Sequence, residues 1–371
     1  MHKWIAILFL SSLSLAQTTP SSAPAARLAH LHHGINLSEW FAQVYDPKGY
    51  TKEHFQTWTT ATDIALIKSA GFDHVRLSVN PQPMMDAARR QNGTAEYFSY
   101  LDAAVKMILD AGLAVEIDMH PDSDFKAKLN QDEFVERFAD FWRMVAQHYS
   151  SWDSDRVFFE ILNEPEMRDA YRWYGVESKL ATAIRQAAPA HTIIAAGAKW
   201  DDNYDMIFLE PLRDANVIYV FHFYEPHIFT HQGATWGAYY WHWLKGLHYP
   251  SSPENAAQVA ATIPEPIHRL DVVRYGQDHW DASRIEAEIN QAADWAKQNG
   301  VPLVCNEFGV FRNADPQDRA AWIKDTRTAL ERHNIGWAMW DYSGSFGVVT
   351  KKDGKSTLDE NTVRSLGLKM P

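Results

Sequence analysis

Short segments rich in apolar, β-branched and aromatic residues alternate with amphipathic stretches of helical period along most of this chain, and few architectures accept that rhythm. The candidate strands are HGINLS (33–38), DHVRLSV (73–79), LAVEIDMH (113–120), VFFEILNE (157–164), HTIIAAGA (191–198), VIYVFHFYE (217–225), PLVCNEFGV (302–310) and GWAMWDYS (336–343). Between most of them lie helix-like stretches, among them residues 54–70, 95–111, 131–149 and 281–298. Gly71 and Gly112 stand directly after two of these and Gly300 two residues past a third, where a helix ends in a left-handed residue. Eight βα units in a chain of 371 residues predict an α/β fold, a single (β/α)8 TIM barrel spanning 27–371. An open dinucleotide-binding sheet fits less well, because no GxGxxG follows the first strand.

Outside this pattern lies the N-terminus. His2 and Lys3, an apolar run from Trp4, and Ser14-Leu15-Ala16 as a small-residue cleavage site predict a signal peptide over 1–16, followed by a flexible leader over 17–26. The run is too short to span a bilayer, and no later stretch is apolar enough, so the expectation is a secreted or periplasmic monomer without a membrane span. A formal charge of −12 argues against nucleic acid and anionic lipid as partners. Cys305 is the only cysteine, so there is no intramolecular disulfide and no cysteine-based metal centre; it reads as a small buried apolar residue.

In such a barrel, chemistry sits at the C-terminal ends of the strands. There the chain places Arg76, Asp118 and His120, Asn163 and Glu164, His222 and Tyr224, Asn306 and Glu307, and Trp340 with Asp341. Residues two apart share a face, which groups Glu116 with Asp118 and His120, His222 with Tyr224, Glu160 with Glu164, and Cys305 with Glu307. The dipeptide Asn-Glu ends both strand four and strand seven. Two carboxylates delivered to one rim can divide glycoside hydrolysis between them, one protonating the leaving oxygen and the other attacking the anomeric carbon, provided that one stays protonated while the other is ionised. Their separation, which decides between retention and inversion, is open at this stage.

ILNEP, NEFGV, HVRLSV, DMH, HFYEP and AMWDYS, in that order of strands four, seven, two, three, six and eight, resemble glycoside hydrolase family 5, and GINLSEWF is similar to the family's GxNLGNWF-like opening. The resemblance implies Glu164 as general acid/base and Glu307 as nucleophile. It further implies Asn163 on the sugar 2-hydroxyl, Arg76 and Tyr224 supporting the nucleophile, His120 and His222 lining the site, and Trp340 as an aromatic floor. Asn36 joins them as a candidate sugar contact. Glu160 and Asp118 lie deeper and read as partners of Arg76, and Glu116 as structural. Asn163 and Glu164 are adjacent and should face opposite ways, so strand four must bend or bulge at its end.

Residues 226–281, after strand six, read as a long loop insertion whose first half carries Trp236, Tyr239, Tyr240, Trp241 and Trp243. These rings either pack the loop onto the barrel or stack on sugars; Trp236 is taken as a substrate-binding candidate. The second half, SSPENAAQVAATIPEP, reads as a surface excursion. The expected activity is a retaining, cofactor-free and metal-independent β-glycosidase on a polysaccharide or oligosaccharide, foremost an endo-β-1,4-glucanase. Mannan, xyloglucan, β-1,3-glucan and exo action stay open. A metal-dependent amidohydrolase, suggested by His30-Leu31-His32, lacks a ligand histidine on strand five, and a non-catalytic sugar-binding barrel would not need the carboxylate pair.

Overall fold

The computed structural model describes residues 22–371, apart from 89 and 209. Eight parallel strands close in sequence order: β1 His33–Phe41, β2 His74–Val79, β3 Ala114–Met119, β4 Val157–Glu160, β5 Thr192–Ala196, β6 Val217–Phe223, β7 Leu303–Phe308 and β8 Gly336–Met339. The expected barrel is therefore the observed one, with helices between the strands forming its outer layer. Most strands stop short of their expected upper ends, because the last polar residues of each leave the ladder and belong to the mouth. β1 departs the other way and runs on to Phe41.

The core has two parts. The larger lies between strands and helices and is rich in aromatic rings, with Trp142, Trp173 and Trp322 fully buried. The smaller fills the lower barrel with Leu31, Ala114, Phe158, Ile194, Ile218, Val220 and Val304. Above that apolar plug the inward positions become polar, and the register stacks them: Asn36 is opposite Arg76, Arg76 opposite Glu116, and Asp118 opposite Glu160. The helices also serve strand ends. The indole N–H of Trp142 donates to the Ile161 carbonyl at 3.0 Å and that of Trp173 to the Ala196 carbonyl at 2.9 Å, satisfying acceptors that the ladder has released.

Three expectations need correction. The stretch 54–70 is two helices, Lys52–Thr57 and Ala61–Ala70, because Thr60 and Asp63 form a reciprocal capping box that starts the second. The leader expected through residue 26 is helical where it is described, Ser22–Arg27, and Arg27 ties it under the barrel through Asp155, Thr192 and the Ala190 carbonyl. The signal peptide and residues 17–21 lie outside the described residues. The insertion 226–281 is largely helical: Ser252 caps a helix over Pro253–Ala260 that buries Ala256, Val259 and Ala260, and Pro266 opens another over Pro266–Gln277. Ser252, Pro253 and Pro266, among the residues that suggested an excursion, are helix-start residues. After β8 the chain adds a hairpin, Val349–Lys352 with Lys355–Leu358. Among the described residues no helix is long and apolar enough to cross a membrane.

Gly34 marks a point of close packing inside the barrel. A Cβ there would lie 2.1 Å from Nε2 of the buried His74 ring. Gly34→Ala should lower stability by about 1–3 kcal/mol through overpacking, read as a lower melting temperature in calorimetry with the protein still folded.

Candidate active site

The site is built around Arg76, which is fully buried at the centre of the mouth. Its Nε and Nη2 donate to the two oxygens of Glu160 at 2.6 and 2.7 Å, Nη1 to Asn36 Oδ1 at 2.9 Å and to Glu307 Oε1 at 2.5 Å, and Nη2 to Asn163 Oδ1 at 2.9 Å. Asp118 lies 3.1 Å from Nη2. Burial opposes the charge of Arg76, but Asp118, Glu160 and Glu307 more than restore it and hold the guanidinium well above its ordinary pKa. Glu160 is likewise buried against its charge, yet Arg76 pulls it down to about 2. Glu116 goes the other way, raised by burial and by the charge of Glu160, and its Oε1 accepts from Asn306 Nδ2 at 3.0 Å. The expected pairing of Glu160 and Asp118 with Arg76 is thus observed.

The bend expected after strand four is present. β4 ends at Glu160, the Asn163 N–H donates to the Met119 carbonyl at 2.9 Å, and Glu164 takes a left-handed backbone, φ 45°. Asn163 is thereby turned inward between Arg76 and His120, where its Nδ2 donates to His120 Nε2 at 3.2 Å. Burial lowers His120 to about 3, so the ring is neutral, and its Nδ1 proton goes to Asp118 Oδ2 at 2.8 Å. The other face of this imidazole stacks on Trp340, with centroids 5.5 Å apart and planes 16° off parallel.

Strand seven carries a second irregularity that alternation did not foresee. Phe221 pairs with Cys305 but His222 with Glu307, so the ladder slips a residue at Asn306. Cys305 and Glu307 therefore do not share a face. Cys305 packs outward with the helices, as a small buried residue, whereas both Asn306 and Glu307 turn in. Glu307 Oε2 accepts from Tyr224 Oη at 2.8 Å, so each of its oxygens has a donor.

His222 stands between the two glutamates. Its Nδ1 is 3.1 Å from Glu164 Oε1 and 3.5 Å from Glu307 Oε2, and its Nε2 is 3.5 Å from Asp201 Oδ2. Burial works against its charge, but Glu307, Glu164 and Asp201 raise it to about 9. Glu164 is also penalised by burial, and the hydrogen bond and charge of His222 bring it down to about 2. The expectation of a protonated glutamate is refined accordingly: the balance of charges favours the acid proton on His222, one hydrogen bond from Glu164. Asp201 was not anticipated. It accepts the Glu164 N–H at 2.8 Å and is pushed by burial to about 8. The only sign of it in the sequence is an acid just past strand five, in AKWDD.

Two contiguous cavities of about 600 and 910 Å³ open above these residues and share Gln43, Tyr45, His120, Glu164, His227, His231 and Trp236. The first is further lined by Glu307, Trp340, Tyr224, Glu39 and Asp341, the second by Asn163, Lys126, Glu166, Trp200 and Trp241. Arg76 and His222 line neither and act through their neighbours. Asn36, expected to contact sugar, is fully buried beneath the site: its Nδ2 donates to the Asn306 and Met339 carbonyls and its Oδ1 holds Arg76. It is a strut. Of the aromatic run, Trp236 and Trp241 reach the cleft, Tyr240 stacks on His268, and Tyr239 bonds to Glu265.

Among the described residues, Glu160, Asp201 and His222, and again Glu164, His222 and Glu307, bring ligating atoms within 4.8 Å of one another. Both sets depend on His222, which Glu307, Glu164 and Asp201 favour in its protonated form, so a metal there would have to displace that proton. His30, of the suggested histidine pair, ends a short 3-10 helix ahead of β1, and both His30 and His32 sit at the opposite end of the barrel from the mouth.

A closed (β/α)8 barrel with two glutamates facing across its mouth, backed by a buried arginine and floored by tryptophan, is the architecture of a glycoside hydrolase. Residues 38–345 match the cellulase model of glycosyl hydrolase family 5, and the chain belongs to that family. It is 28% identical over 338 residues to endoglucanase C of Acetivibrio thermocellus, covering 88% of this chain and 95% of that relative. It is 27% identical to cellodextrinase A of Ruminococcus flavefaciens over 315 residues, 81% of this chain and 82% of the other. Cel5A of Thermotoga maritima, solved in complex with cellobiose, superposes with a TM-score of 0.73 at 26% identity, covering 92% of this chain and 99% of that one.

The proton on His222 gives a pH test. Wild-type activity should fall on the alkaline side as His222 loses its proton near pH 9, since a histidine with a raised pKa is charged below that value and neutral above it. In His222→Gln the acid proton must reside on Glu164 itself, and the alkaline limb of kcat/KM should move toward neutrality. Asp201→Asn, which removes a carboxylate that favours the imidazolium, should move the limb the same way by a smaller amount.

Proposed function

We propose that this protein is an exported endo-β-1,4-glucanase that hydrolyses its substrate with retention. The observation that carries the mechanism is the approach of Glu164 and Glu307, which present carboxylate oxygens within 4.8 Å of each other. So close an approach favours a double displacement, for which the carboxyl groups stand about 5–5.5 Å apart, over inversion, for which they stand about 6.5–9.5 Å apart.

Glu307, its oxygens aligned by Arg76 and Tyr224, attacks the anomeric carbon of a sugar seated on Trp340. Glu164 delivers the proton that His222 holds to the departing oxygen, and the couple is left with one proton fewer. In the second half-reaction Glu164 takes a proton from water, which displaces Glu307 and restores the anomeric configuration. Asn163, fixed by Arg76 and His120, presents its amide to the sugar 2-hydroxyl. Internal cleavage is supported by a cleft that extends to both sides of the glutamates, and the β-1,4-glucan by relatives named endoglucanases. Export rests on the charged, apolar and small-residue order of residues 1–16. A β-mannan is the second reading, because Thermotoga maritima Cel5A has also been solved in complex with mannotriose.

Glu307→Ala should abolish turnover. Glu164→Ala should lose about 100- to 10,000-fold on polysaccharide while sparing glycosylation by substrates with activated leaving groups. Azide should rescue both variants, giving the retained glycosyl azide with Glu164→Ala and the inverted one with Glu307→Ala; the opposite pairing exchanges the two roles. A panel of glucans and mannans, with the first-formed product anomer read by NMR, tests substrate and stereochemistry together.

A further inference from the structure

Three carboxylates at the mouth are aimed by backbone irregularities rather than by strand alternation. Two are Glu164 and Glu307. The third is Glu39, with φ 60° in a bulge of β1, where Leu37 pairs with Leu77 but Phe41 with Val79. Alternation from the inward Asn36 would turn Glu39 out toward the helices. Instead its side chain lines the first cavity with Glu307, Trp340 and Asp341. The backbone around it is fastened: His54 Nε2 bonds to the Glu39 carbonyl at 2.8 Å, and the Trp40 indole donates to the Phe55 carbonyl at 2.8 Å. The Glu39 carboxylate itself is half-buried, yet it makes no hydrogen bond or ion pair with any described residue. A left-handed glutamate is conformationally costly, and such costs persist where the surroundings enforce them for a function.

Position identifies the ligand. The general acid serves the leaving sugar, so the cavity that runs past Glu164 to Glu166 and Trp200 receives the departing side, and the Glu39 cavity receives the sugars that stay on Glu307. We propose that Glu39 is a specificity-determining residue, its carboxylate accepting hydrogen bonds from two adjacent hydroxyls of the sugar next to the one attacked, on the non-departing side. This rests on the glucanase reading above.

The charged and titratable groups facing Glu39 are Asp341 from the end of β8, Lys351 from the hairpin and Tyr45 from the loop after β1. Burial and then Asp341 raise its carboxyl to about 7, and Lys351 partly offsets them. Near neutrality an arriving pair of hydroxyl donors therefore selects the ionised form. Lys351 is itself engaged, donating to the Trp58 carbonyl at 2.6 Å and lying 3.5 Å from Asp63, and it leaves the carboxylate open to the cleft.

The test compares dinitrophenyl β-glucoside, which places one sugar on the non-departing side, with dinitrophenyl β-cellobioside, which places two. Glu39→Gln and Glu39→Asn are paired because asparagine tolerates the left-handed backbone. For either variant kcat/KM should drop about tenfold with the cellobioside, chiefly through KM, and less than about twofold with the glucoside. Wild-type KM for the cellobioside should also fall as pH rises through about 7, a trend that Glu39→Gln flattens. Equal losses on both substrates, or a lowered melting temperature with no difference between them, would make Glu39 a prop of the bulge and overturn the proposal, as would no loss at all. Wild type inactive on both glycosides, and on glucan, would remove the glucanase reading and this proposal with it.

Discussion

The polar side chains beneath and around the nucleophile Glu307 are positioned against one buried guanidinium. Placing the Arg76 charge out of water costs several kcal/mol, and buried ion pairs return little more than that cost in stability. What the arrangement supplies is direction. A guanidinium offers five N–H bonds in a fixed plane, and here they reach β1 through Asn36, β4 through Glu160, the bend beyond it through Asn163, and β7 through Glu307. A lysine at this position would supply the charge without the fork, and four segments of chain would lose their common reference.

The geometry above Arg76 depends on departures from regular structure. The lower barrel obeys strand alternation, and its apolar layer fills accordingly. At the rim, a left-handed Glu164, a slipped register before Glu307 and a bulge around Glu39 each turn toward the cleft a side chain that regular pairing would have sent elsewhere. These departures are tolerable because their backbone groups are recaptured: Ile161 by the Trp142 indole, the Glu164 N–H by Asp201, the Glu39 carbonyl by His54. Irregular backbone that keeps its hydrogen bonds is a rigid platform rather than a flexible one.

Charge follows the same economy of position. Glu160 is buried and Glu164 half-buried, and both are held ionised, each by its own cation, Arg76 below and His222 beside. Asp201 and Glu116, buried but lacking so close a cation, are driven toward the neutral form. Neighbouring carboxylates in one small volume thus have opposite tendencies: Asp118 is raised by burial and by Glu160 although Arg76 lies 3.1 Å away, whereas Glu160, which takes the guanidinium on both oxygens, is lowered.

The order of elements was legible in the sequence, because period-two and period-3.6 patterns are local and eight repeats of them leave few architectures. The glutamate pair was legible too, since Asn-Glu recurs at two strand ends, and the conflict between adjacent Asn163 and Glu164 required the bend that is present. Asp201 was not, because its partners Glu164 and His222 come from other strands; nor was the role of Asn36, whose side chain points under the site rather than into it. The bulges that aim Glu39 and Glu307 arise from pairing between neighbouring strands, and Ser252 and Pro253 were read as a loop although they begin a helix. The sequence by itself determined the fold, the strand tops and the two carboxylates. Which side chains face the sugar, which brace Arg76 and where the acid proton rests were decided only by the tertiary structure, because each depends on distances of a few ångströms between segments far apart in the chain.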